Sequence, residues 1–179
     1  MTRTLAALAL FLFAAMPLPA EAQANDPENT LYVDLSYGRV VIRLRPDLAP
    51  NHVARVKQLA RAGFYDGIVF HRVLEGFMAQ SGDPTGTGSG GSDEPDLKAE
   101  FTDTPFVRGV VGAARTPDSY DSANSQFFIM FGEKPGLNGE YTVWGEVVEG
   151  MEFVDQIKRG EPPANPDKII RMQVAADAG

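Results

Sequence analysis

After the first two dozen positions, apolar residues come in short runs rich in β-branched and aromatic side chains. Each run is closed within a few residues by glycine, proline or another turn former, and only two segments carry helical spacing. Residues 31–35 and 40–44 form a predicted hairpin around Ser36-Tyr37-Gly38-Arg39. Residues 68–73, 77–81, 107–114, 125–131, 141–148 and 169–174 are further strand-like runs. Pro46 and Pro50 end the second strand. Asn51 is placed to cap a helix in which Val53, Val56, Leu59 and Ala60 recur at three- and four-residue spacing until Gly63. Arg55, Lys57 and Arg61 then fall on its solvated face. Residues 150–159 give a second, short helix through Met151, Val154 and Ile157. About eight short strands with two helices argue for an all-β antiparallel barrel or sandwich, the helices suited to plugging a barrel's open ends.

The first residues are of another kind. Arg3 supplies a positive start, residues 5–16 are an unbroken apolar run, Pro17 and Pro19 break it, and Ala22-Gln23-Ala24 is an A-x-A cleavage signal. This is the pattern of a secretory signal peptide over residues 1–24, with Ala20-Glu21-Ala22 offering an earlier cut. The apolar run falls short of the ~20 residues that span a bilayer. Export, with the periplasm as destination, is expected, followed by one domain over 25–179 and no stable membrane insertion. Sixteen basic and 24 acidic residues give a net charge of −8 without a Lys/Arg cluster, so nucleic acid is not an expected partner. With no cysteine there is neither a disulfide nor a thiolate nucleophile.

The chemistry converges on FHRVLEGFMAQSGD, residues 70–83, where bulky apolar pairs flank a Glu75-Gly76 turn beside an arginine, a histidine and a glutamine. A hydrophobic surface with a few fixed polar groups is the usual make-up of a small-ligand site. His52 and His71 are the two histidines of the chain, far apart in sequence, so no metal and no cofactor are expected. His52 belongs near a helix start and His71 in a strand, as a hydrogen-bonded structural histidine. No G-x-S-x-G occurs, whereas paired glycosidase carboxylates are left open by spacing alone. Gly86, Gly88 and Gly91 match G-x-G-x-x-G, but Pro84 precedes them and Asp93-Glu94-Pro95 follows in place of a helix, so a dinucleotide loop is rejected in favour of a surface loop over 82–95. An arginine stays protonated and cannot act as a base, yet it can donate a hydrogen bond inside an apolar pocket. Rotation about an X-Pro peptide bond needs such a donor, an apolar clamp and no nucleophile. Its barrier of ~18–20 kcal/mol is amide resonance, and twisting returns a lone pair to the prolyl nitrogen.

The segments FHRVLEGFMAQSGD, GTGSGG, AAR, SQFFI, LNGEYTVWGEV and EGME, in this order, resemble the cyclophilin family of peptidyl-prolyl cis-trans isomerases in its bacterial exported form, over residues 29–175. The resemblance implies an eight-stranded antiparallel β-barrel capped by two α-helices, with the active surface on the outside of the barrel. It makes Arg72 the catalytic arginine and Gln80 its orienting partner. Phe77, Met78, Phe128 and Leu137 would line the proline pocket and Gln126 would bind the substrate backbone. Ala114, the backbone of Arg115, and Tyr141 would complete the binding surface. Phe70, Phe127 and Trp144 are expected in the core. Well-known members carry an aromatic before the leucine of L-x-G and a histidine four residues after it. Here Gly136 and Tyr141 stand there, and Arg115 replaces an asparagine common in eukaryotic members. Proline isomerisation should survive these changes, and sensitivity to cyclosporin-type inhibitors should fall. The implied partners are proline-containing unfolded or partly folded polypeptides, bound by a monomer. The alternative is a proline-directed chaperone or scaffold with little turnover.

Overall fold

The computed structural model describes residues 26–179; the segment expected as signal peptide and its cleavage point lie outside the described residues. The opening hairpin pairs β1 (Thr30–Leu35) with β2 (Gly38–Leu44), Leu35 facing Gly38 across the turn. The other strands are β3 (Arg72–Leu74), β4 (Met78–Ser81), β5 (Val110–Ala113), β6 (Phe127–Met130), β7 (Val143–Glu149) and β8 (Arg171–Val174). All eight belong to one antiparallel sheet in the order β3-β4-β6-β5-β7-β2-β1-β8. The sheet curls into a half-barrel rather than closing along a full ladder. Its two edges approach through isolated pairs, Val69 with Lys168 just before β8 and Val73 of β3 with Gly160.

Period-two alternation fills the inside. Leu31, Val33 and Leu35 of β1 and Val40, Ile42 and Leu44 of β2 are buried together, with Phe70, Phe127, Ile129 and Trp144 from the far side. Tyr65, Phe127 and Trp144 form an edge-to-face series with centroids 5.8 and 5.7 Å apart. The Tyr65 hydroxyl donates to Ser125 O at 3.1 Å, and burial pushes that phenol above its ordinary range. Phe70, Phe127 and Trp144 are thus core residues, as expected.

Helix α1 (Pro50–Arg61) begins with proline, whose missing N–H costs nothing at a first turn. It packs on β7 and β8, burying Val53, Val56, Leu59 and Ala60. Two expectations fail here. Asn51 is not the cap; the carboxylate of Glu100 is, accepting the Asn51 and His52 amides at 3.1 and 3.0 Å and the His52 ring Nδ1 at 2.6 Å. A carboxylate at this end also complements the helix dipole. Arg55 is buried, not solvated, because the end of the 82–95 loop lies against the helix and Arg55 Nη2 donates to Pro95 O at 2.9 Å. Lys57 and Arg61 do face the surface side, where both pair with Glu28 and Arg61 also with Asp177, tying the two ends of the domain to the helix. The second helix, α2 (Met151–Val154), is one turn long and leans on β2; Val154 and Ile157 are buried, but helical geometry does not extend to 159.

Candidate active site

The same alternation that builds the core puts a second apolar cluster on the outer face of the sheet. On β6, Phe127 and Ile129 point inward while Phe128 and Met130 join Met78, Phe106, Val110 and Val143 outside, with Phe77, Leu137 and Tyr141 partly buried around them. Register then aligns the polar groups. Arg72 of β3 faces Gln80 of β4, Gln80 faces Phe128 of β6, and Phe128 faces Gly112 of β5, one row across four strands.

Along this row lies a cleft of about 280 Å³ lined by Arg72, Phe77, Met78, Gln80, Ala114, Arg115, Pro117, Phe128, Leu137 and Tyr141. Nine of the ten expected site residues therefore meet in one place. The tenth, Gln126, lines an adjoining polar groove of about 420 Å³ that shares Gln80, Ala114, Arg115 and Pro117 with the cleft. An apolar cleft opening into a polar groove suits a peptide with one apolar side chain inserted and its backbone lying beyond.

The floor depends on Gly112. With no Cβ there, the rings of Phe106 and Phe128 stack over the strand at 5.7 Å and 27°. Tyr141 meets Phe128 edge-on at 5.7 Å. The wall behind it is the side chain of Arg115, which the sequence assigned through its backbone. Its guanidinium lies between Tyr120 and Tyr141, 4.6 and 4.4 Å from the ring centroids, and donates from Nε to Glu140 O at 3.1 Å and from Nη1 to Thr116 O at 3.0 Å. Gly136 has open space where a Cβ would stand.

Gln80 does not hold Arg72. Its Nε2 donates to Gln126 Oε1 at 2.9 Å, and Gln126 Nε2 donates in turn to Gly88 O at 2.9 Å and Gly90 O at 2.8 Å. Arg72 Nε donates instead to Glu161 Oε1 at 2.5 Å, since a carboxylate is the stronger acceptor for a guanidinium. Gly112, Phe106, Pro117, Tyr120 and Glu161 are parts of the site that the sequence reading did not pick out. A glycine inside an apolar strand run, as at 112, was the one readable signal among them.

The loop that presents Gly88 and Gly90 is wound around Asp83. Its carboxylate accepts the Thr85 amide at 2.7 Å, the Thr85 hydroxyl at 2.8 Å, the Thr87 amide at 3.1 Å and the Gly88 amide at 2.6 Å. Of the glycines in the rejected dinucleotide match, Gly88 serves this carboxylate through its amide, while Gly86 donates to the Asp83 main-chain oxygen at 3.1 Å. Burial alone would raise the Asp83 pKa, but bonds from the Thr85 hydroxyl and from the Thr85, Gly90 and Gly88 amides outweigh it and hold the group down at about 2, against an ordinary 3.8. A carboxylate depressed in the folded state adds stability that is complete above its unfolded pKa and fades as pH falls toward the folded value. Wild type should therefore exceed Asp83→Asn in unfolding free energy by about 2 kcal/mol more at pH 6 than at pH 2, with the change falling between about pH 4 and pH 2. Urea unfolding of both proteins across that range checks it; a pH-independent difference would count against the cradle.

Beneath the loop sits His71, buried, with neither ring nitrogen bonded to a partner among the described residues, so the hydrogen-bonded histidine expected from sequence is not found. Burial holds its pKa below the ordinary value, against the pull of Asp83 and with the push of Arg72. Among the described residues no three His, Asp or Glu side chains gather as a metal site, and no helix is long and apolar enough to cross a membrane.

A curled eight-stranded antiparallel sheet carrying two helices, with an arginine-rimmed apolar cleft on its outer face, is the architecture of a cyclophilin. The family model described as cyclophilin type peptidyl-prolyl cis-trans isomerase/CLD matches residues 30–174, and the chain belongs to this family. A probable peptidyl-prolyl cis-trans isomerase of Brucella suis is 51% identical over 96% of both chains. Peptidyl-prolyl cis-trans isomerase B of Bacillus subtilis is 39% identical over 69% of this chain and 85% of its own. Among solved structures, a cyclophilin from Hirschia baltica matches with a TM-score of 0.78 and 28% identity, covering 90% of this chain and 82% of that one. A Cryptosporidium parvum cyclophilin type isomerase, crystallised in the presence of the dipeptide Ala-Pro, matches at 0.75 and 26%, covering 81% and 98%. Family and relatives are isomerases, and the chain is an enzyme of that class.

Proposed function

We propose that the chain accelerates cis-trans isomerisation of X-Pro bonds in exported polypeptides, and that Arg72 stabilises the twisted transition state at the prolyl nitrogen. The observation that carries this reading is the cross-strand row from Arg72 through Gln80 and Phe128 to Gly112, which sets one cationic donor at the mouth of an apolar cleft. A prolyl ring fits a cleft of this size, and the surrounding Phe77, Met78, Phe128 and Leu137 exclude water from the bond that rotates. Planar cis and trans amides keep the prolyl nitrogen's lone pair in resonance; the twisted state frees it to accept from the guanidinium. The donor thus favours the transition state over both ground states, the condition for raising kcat. Gln126 spends both amide hydrogens on the loop carbonyls and keeps acceptor capacity on Oε1 for a substrate N–H.

The exported destination rests on the leader pattern of residues 1–24. Magnetisation-exchange NMR on an Ala-Pro peptide tests the activity: uncatalysed exchange takes tens to hundreds of seconds, and catalytic amounts of protein should shorten it by orders of magnitude. Peptide binding without faster exchange would leave only a scaffold. Fractionation of expressing cells, with the mature amino terminus sequenced, should find the protein in the periplasm beginning at Asn25 or Gln23; uncleaved protein in the cytoplasm would contradict export.

A further inference from the structure

An arginine has a long side chain with many rotamers, and catalysis by positioning requires that something hold its guanidinium in one direction. Three groups stand near enough to do this for Arg72. Gln80 is its cross-strand partner, but its Nε2 donates to Gln126 and, among the described residues, no hydrogen bond runs from Arg72 to its Oε1. The Phe77 ring lies 5.9 Å from the guanidinium carbon and offers a face without a direction. Among the described residues Glu161 alone makes a side-chain hydrogen bond to Arg72, at Nε. Among the described residues no hydrogen bond uses either Nη, so the forward edge of the fork is left to the cleft.

Glu161 is not the tip of a loose loop. Val73 and Gly160 exchange both backbone hydrogen bonds at 2.8 Å, so the chain emerges at residue 161 docked against the exposed edge of β3, beside Arg72. Gly160 allows the turn that follows it: its φ is +149°, and a Cβ there would run into the backbone of Pro163.

We infer that Glu161 is a positioning residue of the isomerase, its carboxylate fixing the Arg72 guanidinium by the Nε–H and leaving both Nη groups directed to substrate. This rests on the isomerase reading of the cleft. Both side chains are partly exposed, so the pair adds little to folding stability and its effect should appear in the barrier.

The test compares wild type, Glu161→Ala and Glu161→Gln on an X-Pro peptide. Glu161→Ala should lower kcat by roughly three- to fivefold with KM and thermal midpoint unchanged, the size an exposed charge-assisted contact sustains. Glu161→Gln keeps an acceptor oxygen and should recover most of the loss. The ¹⁵N–¹H signal of Arg72 Nε, assigned by its disappearance in Arg72→Ala, should move and exchange faster in Glu161→Ala. A Glu161→Ala protein with wild-type kcat and an unmoved Arg72 signal would overturn the inference while leaving the isomerase reading intact. A wild type without turnover would remove both.

Discussion

Arg72→Ala is expected to lower kcat/KM on an X-Pro peptide by about a hundredfold to a thousandfold, the loss that follows removal of one aimed donor from a preorganised site. Among the residues that line the cleft, no other cation can take its place. Arg115 lines the same cleft, but its guanidinium is clamped between two tyrosines and bonded to two carbonyls. Stability should hardly change, because Arg72 is partly exposed and its one side-chain hydrogen bond among the described residues goes to an exposed carboxylate. Arg72→Lys should recover little: an ammonium keeps the charge but lacks the planar fork that can be held at Nε while Nη reaches forward. Chevron or urea midpoints measured beside the kinetics separate the two effects. Residual activity above about half of wild type in a folded Arg72→Ala protein would sink the assignment of Arg72 as the donor.

What the sequence conveyed about this site follows from distance along the chain. Arg72, Phe77, Met78 and Gln80 lie within one hairpin, where alternation and a tight turn determine which side chains share a face, and the structure places all four on the cleft. Contacts made over long separations carried no local signal. Glu161 lies in a proline-rich connection 89 residues from Arg72, and Glu100 caps a helix 48 residues behind it. Arg55 is the same case inverted: helical periodicity placed it toward solvent, and only a distant loop turned that solvent into protein. Gln80 shows a further limit. Its position was legible, its hydrogen bond was not, since two glutamines and two loop carbonyls compete for the same amide groups.

The fold was legible where burial is one-sided. β1 and β2 alternate cleanly, and β6 has apolar residues on both faces because it serves the core with one and the cleft with the other. That continuous apolar run hides its own division of labour. The degree of closure was less accessible: a barrel and a half-barrel need the same alternation, and the difference rests on pairings of Val69 and Val73 outside the main ladders.

Gly112→Ala is the second large effect, and it isolates the floor of the cleft from the chemistry above it. A single methyl at 112 would stand 2.6 Å from the Phe128 ring and 2.7 Å from the Phe106 ring, closer than real Cβ contacts allow, so one ring must move. Both rings are already confined, Phe128 by Tyr141 edge-on and Phe106 by its stack on Phe128 and its contact with Tyr141. Overpacking of this kind costs about 1–3 kcal/mol in stability. The displacement of Phe128 toward the opening should cost more than tenfold in kcat/KM, largely through weaker proline binding. Gly145→Ala separates the two consequences. Gly145, on β7, faces the inner core, where an added Cβ would press on Ile42 at 2.9 Å with no aromatic ring of the cleft nearby. It should lose comparable stability yet keep its kcat/KM at temperatures where both variants are folded. Equal activity losses in the two glycine variants would mean that Gly112 acts through general loosening of the sheet; a loss confined to Gly112→Ala ties substrate affinity to the seat of Phe128.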